Sequence, residues 1–200
     1  KIAPLFESVE LVGNTIVNDN ATLSLTALEN YKNIEISLNA NFSFAKVYAP
    51  TADLIFPLSG IDGMKTMYVR VTDDADNKSI AQTVTITYDT TLPTKPELVA
   101  SNGFTNITDF DLVLKTKSTD DNMKGYEVNI NNGGWILTNE PITTSKITVS
   151  LIQNTQNIIK VRAIDKAGNF SLETAAYITQ DPLTLVTTPS KLAGYYNTPI

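Results

Sequence analysis

The sequence predicts an all-β protein built as two β-sandwich modules in tandem, and three observations carry this. First, a stretch occurs twice: Val69 to Ser79, Val-Arg-Val-Thr-Asp-Asp-Ala-Asp-Asn-Lys-Ser, returns as Val161 to Ser171, Val-Arg-Ala-Ile-Asp-Lys-Ala-Gly-Asn-Phe-Ser. The register holds without a gap to Asp89 and Asp181, and the chain's two arginines, Arg70 and Arg162, occupy the same place in each copy. The offset from 69 to 161 exceeds the ~20–50 residues of a solenoid repeat and suits a small domain repeated whole. Second, the apolar residues recur at every second position, as in half-buried strands. Third, Asn-, Asp- and Gly-rich turns separate these runs, and no run has helical spacing.

The first module is read as residues 1–92. Leu23, Leu25 and Ala27 alternate with Thr22, Ser24 and Thr26; Ile34, Ile36 and Leu38 follow with Glu35 and Ser37 between them; Leu54, Phe56 and Leu58 form a third set. In the repeated stretch the valines of Tyr68-Val-Arg-Val71 face inward with Val84 and Ile86, which leaves Tyr68 and Arg70 on the other face. Asp73 opens the turn between those two strands, where it can accept bonds from backbone N–H groups further along. Asp76 stands where the second copy has Gly168, at a position suited to a positive φ that Asp tolerates better than most residues.

The linker Asp89-Thr-Thr-Leu-Pro-Thr-Lys-Pro96 disfavours helix and is extended and stiff. The second module is read as residues 93–182, with seven short strands at about 98–105, 110–116, 125–130, 135–138, 147–151, 158–165 and 171–179. Asn131-Asn-Gly-Gly134 signals a hairpin just before the single tryptophan, Trp135. Residues 183–200 are read as the opening strand of a third module, because Gly194-Tyr-Tyr-Asn197 lies 91 residues after Gly103-Phe-Thr-Asn106. Lys1 is not an initiator methionine, so the chain reads as a fragment or processed form of a longer array.

Composition narrows the function. Of 200 residues 42% are hydrophobic, enough for two cores, and 18% are charged, so the surface is built from Asn, Thr and Ser. A net charge of −6 without a basic cluster argues against nucleic acid or anionic lipid as a partner. No cysteine or histidine is present, which removes thiolate metal sites, disulfides and the commonest general base. No apolar run approaches the ~20 residues of a membrane span.

The repeated Val-Arg-Ala-x-Asp-x-Ala-Gly-Asn-x-Ser at 161–171, the Asp-Thr-Thr-x-Pro linker at 89–93 and the Asn-Gly-Gly-Trp hairpin resemble the immunoglobulin-like and fibronectin type III-like modules found in tandem in bacterial surface and secreted proteins. The resemblance spans residues 4–181 and departs from the family pattern at Asp76. It implies tandem immunoglobulin-like sandwiches of about seven antiparallel strands, an extracellular or cell-surface location, and no catalytic residues. The role it implies is that of stalks and spacers of adhesins, surface-layer and cell-wall proteins, with further modules of the same chain as neighbours. The alternative it leaves is an accessory module that binds extracellular glycan or a host protein.

Two groups of residues carry candidate chemistry. Asp73, Asp74, Asp76, Asn77 and Asp89 are the densest set of oxygen donors and could hold Ca2+ at a module joint, an ion that takes six to eight oxygens; the competing reading is a solvated hairpin turn. Trp135 and Tyr126 could form a sugar-stacking platform, against a reading of Trp135 as a lid on the core. Arg70 and Arg162 are expected to lie over their sheets, paired to a cross-strand acid. Asp120-Asp-Asn122 reads as a turn. No nucleophile–base set, complete phosphate loop or helical calcium-binding loop is present.

Overall fold

Period-two runs of β-branched and apolar residues must pair to satisfy their backbones and must cover one face from water. The computed structural model describes residues 2–182 and shows how they do so. The first module contains β1 (Phe6–Leu11), β2 (Ile16–Val17), β3 (Asn20–Ala27), β4 (Asn33–Ser37), β5 (Lys46–Tyr48), β6 (Asp53–Pro57), β7 (Gly63–Thr72) and β8 (Gln82–Tyr88). The second contains β9 (Glu97–Leu98), β10 (Asn102–Thr105), β11 (Asp109–Thr116), β12 (Met123–Ile130), β13 (Ile136–Leu137), β14 (Lys146–Ser150), β15 (Thr155–Asp165) and β16 (Thr174–Gln180).

Each module is two facing sheets. A three-stranded sheet runs β1-β3-β6 in the first and β14-β11-β9 in the second; a five-stranded sheet runs β2-β8-β7-β4-β5 and β10-β16-β15-β12-β13. The order is the same in both, so the repeat seen in the sequence is a repeat of topology. Each module buries its own apolar cluster: Leu23, Ile34, Ile36, Val69 and Val71 at the centre of one, Leu112, Tyr126, Ile147, Ile159 and Val161 in the other.

Eight strands per module replace the expected seven. The segment expected as one strand over 98–105 divides, β9 joining the three-stranded sheet and β10 pairing in parallel with β16 in the other. The first module does the same with β1 and β2. A strand that changes sheets covers an edge of each, which a single straight strand cannot. The bend falls at Val99 to Ser101, where the alternation stops and all three residues are exposed. The suggested third-module strand in 183–200 lies outside the described residues.

The repeated turn has the predicted geometry. Asp76 adopts φ 61° and Gly168 φ 94°. Asp73 Oδ1 accepts the N–H of Asn77 at 2.8 Å, and Asp165 Oδ1 accepts that of Asn169 at 2.8 Å. The arginines pair across their sheets as expected, Arg70 with Glu35 at 2.6 Å and Arg162 with Glu127 at 2.8 Å. Burial pushes the Glu35 carboxyl up, but the ammonium of Lys78 and the guanidinium of Arg70 outweigh it and hold it below the usual carboxylate range.

Candidate functional site

The chain leaves β8 at Asp89, and what it meets there is the repeated turn of the second module. Because β16 hairpins back from β15, the turn Asp165 to Asn169 projects from the end of its sandwich toward the first module. Asn169 Nδ2 donates to the Asp89 carbonyl and to Asp165 Oδ2, both at 2.8 Å, and its Oδ1 accepts from Asn18 Nδ2 at 2.9 Å. Asp89 Oδ2 in turn accepts from Asn122 Nδ2 at 2.8 Å, and its Oδ1 from the N–H of Thr91 at 3.0 Å. The linker is also held from the first module: Asp62 accepts both the N–H and hydroxyl of Thr90 and of Thr91 at 2.8 to 3.0 Å. Further along, Thr94 and Thr119 exchange backbone and hydroxyl bonds, and Pro93 and Pro96 are buried. The joint is therefore a hydrogen-bonded contact between two sandwiches, in which proline stiffness is only one element.

At its centre one carboxylate oxygen each from Asp89, Asp120 and Asp165 lies within 4.8 Å of the others. Asp165 is fully buried and Asp89 nearly so. Desolvation raises the Asp120 carboxyl above its usual range, and the like charges of Asp89, Asp165 and Asp121 raise it further. Beside this group a cleft of about 320 Å³ is lined by Asp62, Asp89, Asp120, Asp121 and Asn122. Two oxygens about 2.4 Å from one ion are at most about 4.8 Å apart, so this spacing lets the three carboxylates meet on a single hard cation.

The residues expected to hold a cation are divided by the fold. Asp89 is in this group, whereas Asp73, Asp74, Asp76 and Asn77 lie beyond Thr72, at the far end of β7 from Gly63, the residue that pairs with Tyr88. Ten residues of strand at about 3.3 Å each put some 30 Å between them, so one ion cannot bind both. Asp73 is engaged by its own turn, accepting from the N–H of Ala75 and from both nitrogens of Asn77, and Asp76 pairs with Lys32 at 3.2 Å. The partners Asp89 does find, Asp120, Asn122 and Asp165, follow from the repeat: Asp165 is the counterpart of Asp73, one module on. Nothing in the sequence tied Asp120 to them, because its loop reaches the joint only through the tertiary fold.

The two aromatic candidates have different surroundings. Tyr126 is fully buried in the second core, and its phenol oxygen accepts the N–H of Ser118 at 3.0 Å, so its ring presents no face to a sugar. Trp135 is half-buried, and its ring covers the Arg162 guanidinium at 4.1 Å while Phe170 lies over it at 3.7 Å. In the first module Phe42 covers Arg70 at 3.7 Å in a corresponding arrangement.

No family model and no curated protein sequence matches this chain. Among solved structures, fibronectin(III)-like modules of Clostridium thermocellum CbhA match over 88% of this chain and 95% of their own, with a TM-score of 0.54 and 11% identity. The fold is that of tandem fibronectin III-like modules. The FN1-FN3 domains of chicken CNTN1 match equally, over 90% of this chain and 68% of that one, with a TM-score of 0.55 and 11% identity. At such identity the likeness is one of fold. No helix among the described residues of these fibronectin III-like modules is long and apolar enough to cross a membrane.

The joint carries a prediction. Unfolded Asp120 ionises at its ordinary 3.8, while the folded carboxyl ionises higher. The folded state is therefore penalised as pH rises through that window, and the penalty persists at neutral pH. Asp120→Asn is expected to raise the melting temperature in EDTA at pH 7 by about a degree or two, an effect that vanishes below pH 3.8. Differential scanning calorimetry at the two pH values checks this; an equal gain at both would make the effect one of packing.

Proposed function

We propose that this chain is a non-catalytic spacer segment of a bacterial cell-surface or secreted protein, in which each sandwich folds on its own core and the joint holds successive modules in line. The observation that carries this reading is the polar lock at the joint, where Asn169 and Asn122 of the second module are bonded to Asp89 and Asn18 of the first. A carrier whose task is distance gains from such a lock, because free hinges would let the ends approach. A faintly charged Asn/Thr/Ser surface suits the same task.

The joint is also where we place a divalent cation. Asp89, Asp120 and Asp165 would supply one carboxylate oxygen each, with carbonyls and water completing the six to eight oxygens Ca2+ takes. It would neutralise three like charges gathered at low exposure. Support for the spacer over a glycan-binding accessory module comes from the aromatic side chains: Tyr126 is spent in the core and Trp135 on Arg162.

Small-angle scattering in EDTA and in millimolar Ca2+, with thermal melts alongside, tests both parts. A maximum dimension close to two modules end to end in either buffer is expected, with the melting temperature rising in Ca2+. A broad distribution of compact and extended forms in both buffers would sink the spacer; unchanged melting would remove the cation and leave the hydrogen-bonded joint.

A further inference from the structure

The acidic cleft at the joint has a basic neighbour. A second cleft, of about 280 Å³, is lined by Asn14, Thr15 and Ile16 of the first module and by Lys124 and Lys166 of the second, with no carboxylate among them. Lys32, Lys78, Lys115, Lys146 and Lys160 each pair with an acid. Lys124 and Lys166 form no ion pair among the described residues. The first-module wall is equally rich in unused donors: among the described residues the side chains and N–H groups of Asn14 and Thr15 make no hydrogen bond, and only the Thr15 carbonyl is engaged, by the N–H of Thr87 at 2.9 Å.

Local structure brings the lysines together. The β12–β15 ladder slips between Met123 and Gly125, and at this bulge Lys124 is exposed while the residues on either side are buried. Lys166 stands one residue past the end of β15, its N–H bonded to the Asn122 carbonyl at 2.8 Å. The internal repeat supplies the comparison: 92 residues earlier Lys32 stands where Lys124 does, and Asp74 and Asp76 stand where Lys166 and Gly168 do. There Asp76 neutralises the lysine at 3.2 Å. The second module carries a lysine in place of one acid and a glycine in place of the other, so the same place holds two ammonium groups without a counter-charge.

We infer that this cleft is a binding site for a tetrahedral oxyanion, a phosphate or sulfate group, held by Lys124 and Lys166 from one side and by the Asn14 amide and Thr15 hydroxyl from the other. An ammonium is a compact charge with three donors that meets a phosphate or sulfate oxygen from any direction, whereas a planar carboxylate is better matched by an arginine fork. Both arginines of the chain are already committed, to Glu35 and Glu127. The cleft is several times the ~30 Å³ that one water takes in the liquid, which leaves room for the oxyanion and part of the group that carries it. Because the donors come from both modules, the anion bridges the two sandwiches, and its binding and the closure of the joint favour one another by linkage. The inference goes beyond the spacer reading and shares with it only the joint.

The test titrates the chain with inorganic phosphate and with inorganic sulfate, at an ionic strength held constant with sodium chloride, and follows the backbone amide resonances. Saturable shifts are expected at Asn14, Thr15, Lys124 and Lys166 together. Lys124→Gln and Lys166→Gln are each expected to weaken binding about threefold or more, and Lys95→Gln, outside the cleft, to leave it unchanged. Shifts that grow without saturating, that chloride reproduces, or that survive in the chain carrying both cleft substitutions would overturn the inference. Saturation at the lysines with Asn14 and Thr15 silent would overturn the bridging site. Dextran sulfate, titrated beside free sulfate, separates the sources: tighter binding per sulfate group assigns the site to an oxyanion carried on a polysaccharide, and equal or weaker binding assigns it to the free ion. Scattering of the anion-free chain keeps the spacer reading apart. A flexible joint there, with all four residues still saturating in phosphate, removes the rigid spacer and leaves the site; a rigid joint without saturation removes the site and leaves the spacer.

Discussion

Asn169→Ala is expected to destabilise the second module by about 2–4 kcal/mol and to release the two modules from one another. The side chain is 7% exposed and makes bonds on both sides of the joint, to Asp165, to the Asp89 carbonyl and from Asn18. Alanine leaves the buried Asp165 carboxylate short of a donor and the Asp89 carbonyl short of a partner, and each such loss costs about 1–3 kcal/mol. Removing Asn122's bond to Asp89 breaks the joint at one point only, so Asn122→Ala should cost less. Calorimetry checks this through the melting profile: the substituted chain should show two separable transitions, with the first module's unmoved. A single transition shifted by less than a degree would mean that the lock contributes nothing to cohesion.

Arg162→Ala is expected to cost about 2–3 kcal/mol, and Arg162→Lys to recover less than half of that. The guanidinium donates through Nε to Glu127 Oε2 at 2.9 Å, with Nη2 in ion-pair contact with the same oxygen at 2.8 Å, while Trp135 and Phe170 lie over it. Side-chain exposures of 21% and 14% keep the pair only partly screened. Each aromatic face adds about 0.5–2 kcal/mol, and a lysine ammonium, a point charge without a plane, cannot stack flat against the rings while keeping the fixed donor geometry toward Glu127. Because Trp135 is the single tryptophan, its fluorescence reports the change directly: emission should move to longer wavelength in Arg162→Ala and iodide quenching should increase. Unchanged emission would show that the ring is held by the hairpin rather than by the arginine.

The hairpin itself was legible residue by residue. Asn131 and Asn132 take φ 51° and 60°, and the N–H of Gly133 bonds to the Ile130 carbonyl at 2.9 Å, the tight turn that Asn-Asn-Gly encodes. The positive φ of Phe42 and Phe44 was not legible, since nothing local favours it in an aromatic residue. For Phe42 the structure supplies a reason, the ring's place over Arg70.

Alternation of apolar and polar residues by itself determined the inward faces of β3, β4, β6, β7 and β8, because side chains on a strand can point only two ways and one way is wet. The 92-residue repeat likewise determined that there are two modules and that Arg70 and Arg162 do the same work in each. Only the tertiary structure decided which carboxylates meet. Asp89 is close in sequence to the Asp73 turn and about 30 Å from it in space, because a hairpin strand carries the chain from one end of the sandwich to the other. It stands instead beside Asp120 and Asp165, which are distant in sequence and brought together by the packing of one module's end on the next. Local pattern sets which face of a strand is buried; which strand ends touch is set by the order of strands in the sheets and by the linker that seats one sandwich on another.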